Sequence, residues 1–255
     1  VVPGLVDEEP ELARVVLRRL DALAGGHEVQ RKAAARALGE LDPPRASELL
    51  LGVMRLSVER WEPAMRLLPS FMRALEEDGE LIPHLATLRQ VAALHEHEEV
   101  TLVFAEGEAV MSYEADAAAR ADAKLFTLPL GVLKSRARLT KNPDELSRFA
   151  IASNPAVIRE VLRNARLTEE LVVRIASRRP ARPEPLIEIW KSPRWNNRPA
   201  VRKALVFNPY LPPETGVKIV PLLGPADLRE LSTDGKVHLS VRELAARLSA
   251  SAESR

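Results

Sequence analysis

Cysteine is absent from the 255-residue chain. That removes disulfides, thiol catalysis, iron–sulfur ligation and Cys-type zinc sites together. Aromatic residues are scarce, 4% against 46% hydrophobic residues overall. Ala, Leu, Arg and Glu dominate instead, and these favour helices over a β-sandwich because they are strong helix formers and weak strand formers. No apolar run approaches the roughly 20 residues of a transmembrane helix. The opening VVPGLVDEEPELA lacks the charged-then-apolar order of a signal peptide, so a cytoplasmic setting is expected. A GxSxG elbow, a P-loop and a dinucleotide fingerprint are also lacking.

What the chain does have is repetition. Laid at an offset of 44 residues, PAVIREVLRNARLTEELVVRIA from Pro155 lies over PAVRKALVFNPYLPPETGVKIV from Pro199 without a gap. Asn164 meets Asn208, Leu167 meets Leu211, Glu170 meets Glu214, and Val173-Arg174-Ile175 meets Val217-Lys218-Ile219. Asn142-Pro143, Asn154-Pro155, Arg179-Pro180 and Ser192-Pro193 punctuate the same region. Proline suits the first turn of a helix and not its interior. Asparagine before it tolerates the left-handed conformation in which many helices end. Asn-Pro therefore reads as one helix stopping and another starting. Thr168 is a suitable N-cap, with Glu169 and Glu170 complementing the dipole in the first turn. Helices this short gain stability by stacking on neighbours. An α-solenoid is expected from about Leu125 onward.

NPAVIREVLRNARLTEELVVRIA and ALVFNPYLPPETGVKIV resemble the short helical repeats of leucine-rich-variant proteins and, more loosely, HEAT-like repeats, across residues 139–225. The repeat lengths are irregular, Gly216 stands where an apolar helix residue belongs, and the cysteine cluster of one iron–sulfur member is missing. The resemblance implies a scaffold rather than a catalyst, with no active-site residues to carry over.

The N-terminal part reads as longer helices. PELARVVLRRLDALAGG carries Leu12, Val15, Val16, Leu20 and Leu23 as its apolar positions before the Gly25-Gly26 stop. Helices over RASELLLGVMRLS, WEPAMRLLPSFMRALEEDG and ELIPHLATLRQVAALHEHEE follow, bounded by Gly, Pro or acid clusters. Over VTLVFAEGEAVMSY, residues 100–113, the alternation of Val100, Leu102 and Phe104 admits a small β-hairpin or an irregular connector. The expected organisation is an all-α chain: an N-terminal HEAT-like region over 1–98, a connector over 99–124 that includes the polar stretch YEADAAARADAK, and helical repeats over 125–255.

Charge is unevenly spread. Residues 1–130 carry 14 Lys+Arg against 23 Asp+Glu, and residues 131–205 carry 17 against 7, while the last fifty are balanced at 6 and 6. The bland reading is that the acidic and basic parts attract each other; the sharper one is a basic surface for an anionic partner. The surface expected to bind an acidic protein or peptide comprises Arg178, Arg179, Arg182, Arg194, Arg198 and Arg202, with Trp195 and Tyr210 as anchors. The alternative is nucleic acid held through the same basic block, with Trp190, Trp195 and Tyr210 stacking on bases. Core packing of the tryptophans competes with that role.

Catalytic signals are poor. In His95-Glu96-His97-Glu98-Glu99, helical positions i and i+2 point about 200° apart, so a solvated acidic helix end is expected rather than a metal site. His27, His84 and His238 are scattered, and the pairs Glu8-Glu9, Glu76-Glu77 and Glu169-Glu170 sit where helix dipoles explain them. The expectation is no catalytic residue, no cofactor and no metal. A hydrolase or glycosylase on a HEAT-like frame is a third, weaker class.

Overall fold

A computed structural model describes residues 8–23, 25–113, 128–150 and 154–253. Among these residues the chain is all-helical, with fifteen α-helices, two 3-10 turns and no strand. It divides into two compact units. Residues 1–106, 217–234 and 239–255 form the first, and residues 107–216 with 235–238 the second. This differs from three consecutive stretches, because the C-terminal helices group with the N-terminal ones. The polar stretch YEADAAARADAK, expected as a linker, lies outside the described residues except for its first residue, Tyr113.

The first unit holds α1 (Glu8–Asp21), α2 (His27–Gly39), α3 (Pro43–Val58), α4 (Glu62–Glu77), α5 (Leu85–Leu94) and α6 (Glu98–Val103), with α14 (Pro225–Thr233) and α15 (Leu239–Glu253) added from the end of the chain. Helix α3 is its axis. Eleven of its sixteen residues are buried, from Ala46 to Val58, which makes it apolar almost all round. Helices α1, α4, α5, α6 and α15 and the turn Val220–Leu222 all pack on it. Asp42 opens the helix by accepting from the Arg45 amide at 2.9 Å, with Pro43 and Pro44 filling the first turn. The close meeting of α2 with the turn Gly79–Leu81 requires glycine at position 39, where a Cβ would lie 2.0 Å from the Leu81 carbonyl oxygen.

Two sequence expectations fail in this unit. Residues 100–113 form no hairpin. Val100 and Val103 lie one helical turn apart in α6 and are both buried, so the helical period overrides the alternation of Val100, Leu102 and Phe104. His97 is likewise not solvated. Glu96 takes a left-handed φ of 58° just past the end of α5, and the His97 amide donates back to the Ala92 carbonyl at 2.8 Å. That turn brings His97 inside, 8% exposed, with Nδ1 2.8 Å from the Ser47 hydroxyl. Beside it Glu99 is buried and paired with Arg55 at 3.1 Å.

The second unit holds α7 (Leu130–Leu139), α8 (Pro143–Phe149), α9 (Pro155–Arg163), α10 (Glu169–Ala176), α11 (Pro183–Lys191) and α12 (Pro199–Val206); α13 (Pro213–Ile219) begins in it. Packing alternates: α7 lies against α9 and α9 against α11, while α8 lies against α10 and α10 against α12. Two aligned apolar pairs 44 apart are buried alike, Leu167 at 3% with Leu211 at 5% and Ile175 at 7% with Ile219 at 0%.

Asparagine has two jobs here, neither of them left-handed. Asn142 and Asn154 are extended N-caps, with φ −89° at both, and accept from the Asp144 and Ala156 amides at 2.9 Å. Asn164 and Asn208 are each 2% exposed and join distant helix ends. The Asn164 amide donates to the carbonyls of Ala137, Arg138 and Thr140 at the end of α7, and the Asn208 amide to those of Ala176 and Arg178 at the end of α10. Each side-chain oxygen accepts from the backbone N–H two residues on, at Arg166 and Tyr210. The loop after one helix thus satisfies orphan carbonyls of the helix two before it.

Candidate functional site

The end of α10 and the start of α11 create a concavity of about 460 Å³ in the second unit. Helix α10 delivers Arg174 and Ile175 in its last turn and is capped at Ser177. Residues 178–182 then run to Pro183, where proline restarts the helix. The lining comprises Arg174, Arg178, Arg179 and Arg182, the hydroxyl residues Tyr113, Ser147 and Ser177, and an apolar floor of Ala150, Ile175, Ala181, Pro185 and Leu186. Among the described residues no Asp or Glu lines it.

The four arginines are not equivalent. Arg179 donates to the Phe207 carbonyl at 2.6 Å. The Arg182 guanidinium stacks over the Tyr113 ring, 4.6 Å from its centroid, and is half-buried. Arg174 and Arg178 are exposed and have no ion-pair partner among the described residues. Arg174 also sits where a cation complements the carbonyl end of α10, so part of its placement is structural. Four guanidiniums with no carboxylate among the described lining residues nonetheless leave a positive potential above an apolar surface, and concave geometry concentrates it.

Of the residues expected to form a binding surface, the pocket unites Arg178, Arg179 and Arg182. The others go elsewhere. Arg194 donates to the carbonyls of Asn164 and Leu167 at 3.0 and 3.2 Å and stacks on Trp195 at 4.4 Å. Trp195 is 3% exposed, its indole N–H donating to the Leu162 carbonyl at 2.9 Å, so it joins helix ends as the asparagines do. Arg202 is buried and bonded to the Asn196 carbonyl. Tyr210 is 8% exposed and Trp190 fully buried. Arg198 remains on the surface, 3.8 Å from Glu169. Trp195, Arg202 and Tyr210 are therefore corrected from surface contacts to internal ones. The lining also includes Tyr113, Ser147 and Ser177, which nothing in the local sequence marks. Arg174 was legible only as part of the basic block.

Among the described residues no group of three or more His, Asp or Glu side chains could hold a metal ion. His95 and His97 stand with ring centroids 6.0 Å apart. No helix among them is long and apolar enough to cross a membrane. Compared with family models, curated proteins and solved structures, the chain matches none.

Proposed function

We propose that this protein is a non-catalytic scaffold or adaptor that holds an acidic protein or peptide through a basic helical surface centred on Arg174, Arg178, Arg179 and Arg182. In this reading its second unit is an α-solenoid of short repeats akin to leucine-rich-variant arrays, working in the cytoplasm without a cofactor. The observation that carries it is the arginine-rimmed pocket, with no carboxylate among its described lining residues. The alternating packing of α7 to α12 supports the solenoid. Nucleic acid would use the same arginines, but burial of Trp190, Trp195 and Tyr210 removes the rings that would stack on bases.

The test is capture of partners from host lysate with and without nuclease, using the wild type and the triple reversal Arg178→Glu, Arg179→Glu, Arg182→Glu. Nuclease-resistant capture of an acidic protein, lost in the reversal while the helical circular dichroism signal persists, is expected. On duplex DNA, a log–log salt slope near −4 to −5 with submicromolar affinity would indicate about five phosphate contacts and overturn the reading in favour of nucleic acid.

A further inference from the structure

The pocket is more than a positive patch, because its floor is apolar and its rim is not. Ala150, Ala181 and Leu186 on the floor are 2%, 7% and 0% exposed, and Ile175 is 7% exposed. A flat ion-pairing surface needs no cavity of about 460 Å³. That volume lies in the range of sites that enclose a whole small group, roughly 300–1,000 Å³. Arg174 and Arg178, exposed and without ion-pair partners among the described residues, supply two cations. Arg179 and Arg182, held by Phe207 and Tyr113, supply two fixed ones. Ser147 and Ser177 add hydroxyl donors.

A group that satisfies this arrangement has an apolar body and a compact anion of more than one charge. A lone carboxylate has too little charge for four guanidiniums. A phosphate monoester carries about −1.5 to −2 at neutral pH with three acceptor oxygens, and arginine matches that oxygen geometry in pairs. Resting on the partner-binding reading above, we infer that the pocket between α10 and α11 recognises an aryl phosphate monoester, an aromatic ring on the apolar floor with its dianionic phosphate among Arg174, Arg178, Arg179 and Arg182. A phosphotyrosyl side chain of the partner and a free aromatic phosphate ester share this chemistry. A phosphoseryl side chain does not, because its single methylene cannot fill the floor while the phosphate reaches the rim.

The experiment is calorimetric titration of the full chain with phenyl phosphate, inorganic phosphate, phenyl sulfate, and one acidic peptide in phosphotyrosyl, phosphoseryl and unmodified forms. Phenyl phosphate is expected to bind about tenfold or more tightly than inorganic phosphate, the factor supplied by burying about 60 Å² of apolar area. It should also exceed phenyl sulfate, which has the same shape but a single charge, by a similar factor. Arg174→Gln with Arg178→Gln should remove most of the binding while lowering the melting temperature by no more than a few degrees, the share owed to the Arg174 charge at the end of α10. A phosphotyrosyl peptide binding more tightly than phenyl phosphate identifies a partner side chain as the source, and equal binding identifies a free ester. Equal affinity for phenyl phosphate and inorganic phosphate, or for the phosphotyrosyl and phosphoseryl peptides, overturns the inference, since the floor then contributes nothing. If no phosphate ester binds but the unmodified acidic peptide still binds through the arginines, the inference falls and the scaffold reading stands. If nothing acidic binds, both fall.

Discussion

Four asparagines separate what a residue type reveals from what its neighbours decide. Asn142 and Asn154 cap the helix that follows, a local arrangement legible from Asn-Pro alone once the direction is read correctly. Asn164 and Asn208 could be aligned in the sequence, yet their amide partners lie 24 to 32 residues upstream, beyond any local pattern. Their substitutions should differ accordingly. Asn154→Ala removes an exposed cap and is expected to cost about 1 kcal/mol. Asn208→Ala leaves two carbonyls without that donor in a buried position and is expected to cost about 2–4 kcal/mol. Chemical denaturation of the two variants checks the order, and equal costs would show the buried amide to be incidental. Trp195 failed as a surface residue for the same reason: its indole partner, Leu162, lies 33 residues away.

Helix starts were largely legible, because Pro143, Pro155, Pro183, Pro199 and Pro225 each open one. Faces were less so. In α1 the buried positions are Ala13, Leu17 and Leu20, while Val15 and Leu23 are exposed at 54% and 43%. Hydrophobicity there marked too many positions, and which stripe is buried depends on α3 and α4, against which α1 packs. The junction of α7 and α8 carries its own electrostatic signature. Glu145 accepts from the Thr140 hydroxyl and from Arg136 at 2.6 Å, and these contacts, the threonine bond first, hold its carboxyl below its usual 4.5. A depressed carboxylate contributes stability above its unfolded pKa and loses it as pH falls through the folded one. Wild-type stability should therefore decline as pH drops below about 4.5, and Glu145→Gln should flatten that part of the profile. Thermal melts from pH 6 to pH 3 measure it. An unchanged acid limb in the variant would remove Glu145 from the account.

At the scale of the whole chain, composition correctly indicated the all-helical architecture of the described residues, and the charge map placed a basic stretch at 131–205. Neither could show that the last helices belong with the first, since that depends on packing between α15 and α3, residues nearly two hundred positions apart. Helix α15 brings Val241, Leu244 and Leu248, each at most 2% exposed. Burying three such side chains contributes about 5–8 kcal/mol, comparable with the net stability of a domain. Ending the chain after His238 should therefore unfold the first unit. Hydrogen exchange should show the α3 amides losing protection while those of α9 to α12 keep theirs. Protected α3 amides in the shortened chain would refute the dependence.

The division of the first unit between both ends of the chain also sets an order in time. Translation delivers α3, its most buried helix, well before α15, with the whole of residues 107–216 emerging between them. The nascent chain can therefore pack α3 against α1, α4, α5 and α6, while the turn Val220–Leu222 and α15, which complete its cover, have not yet been made. Closing that interval requires the ends of a long intervening segment to come together, at an entropic cost that grows only slowly with length. Residues 107–216 can fold in the meantime as a compact insert, which makes that cost smaller still. Until α15 emerges, the part of α3 that it covers is a natural substrate for a holdase chaperone.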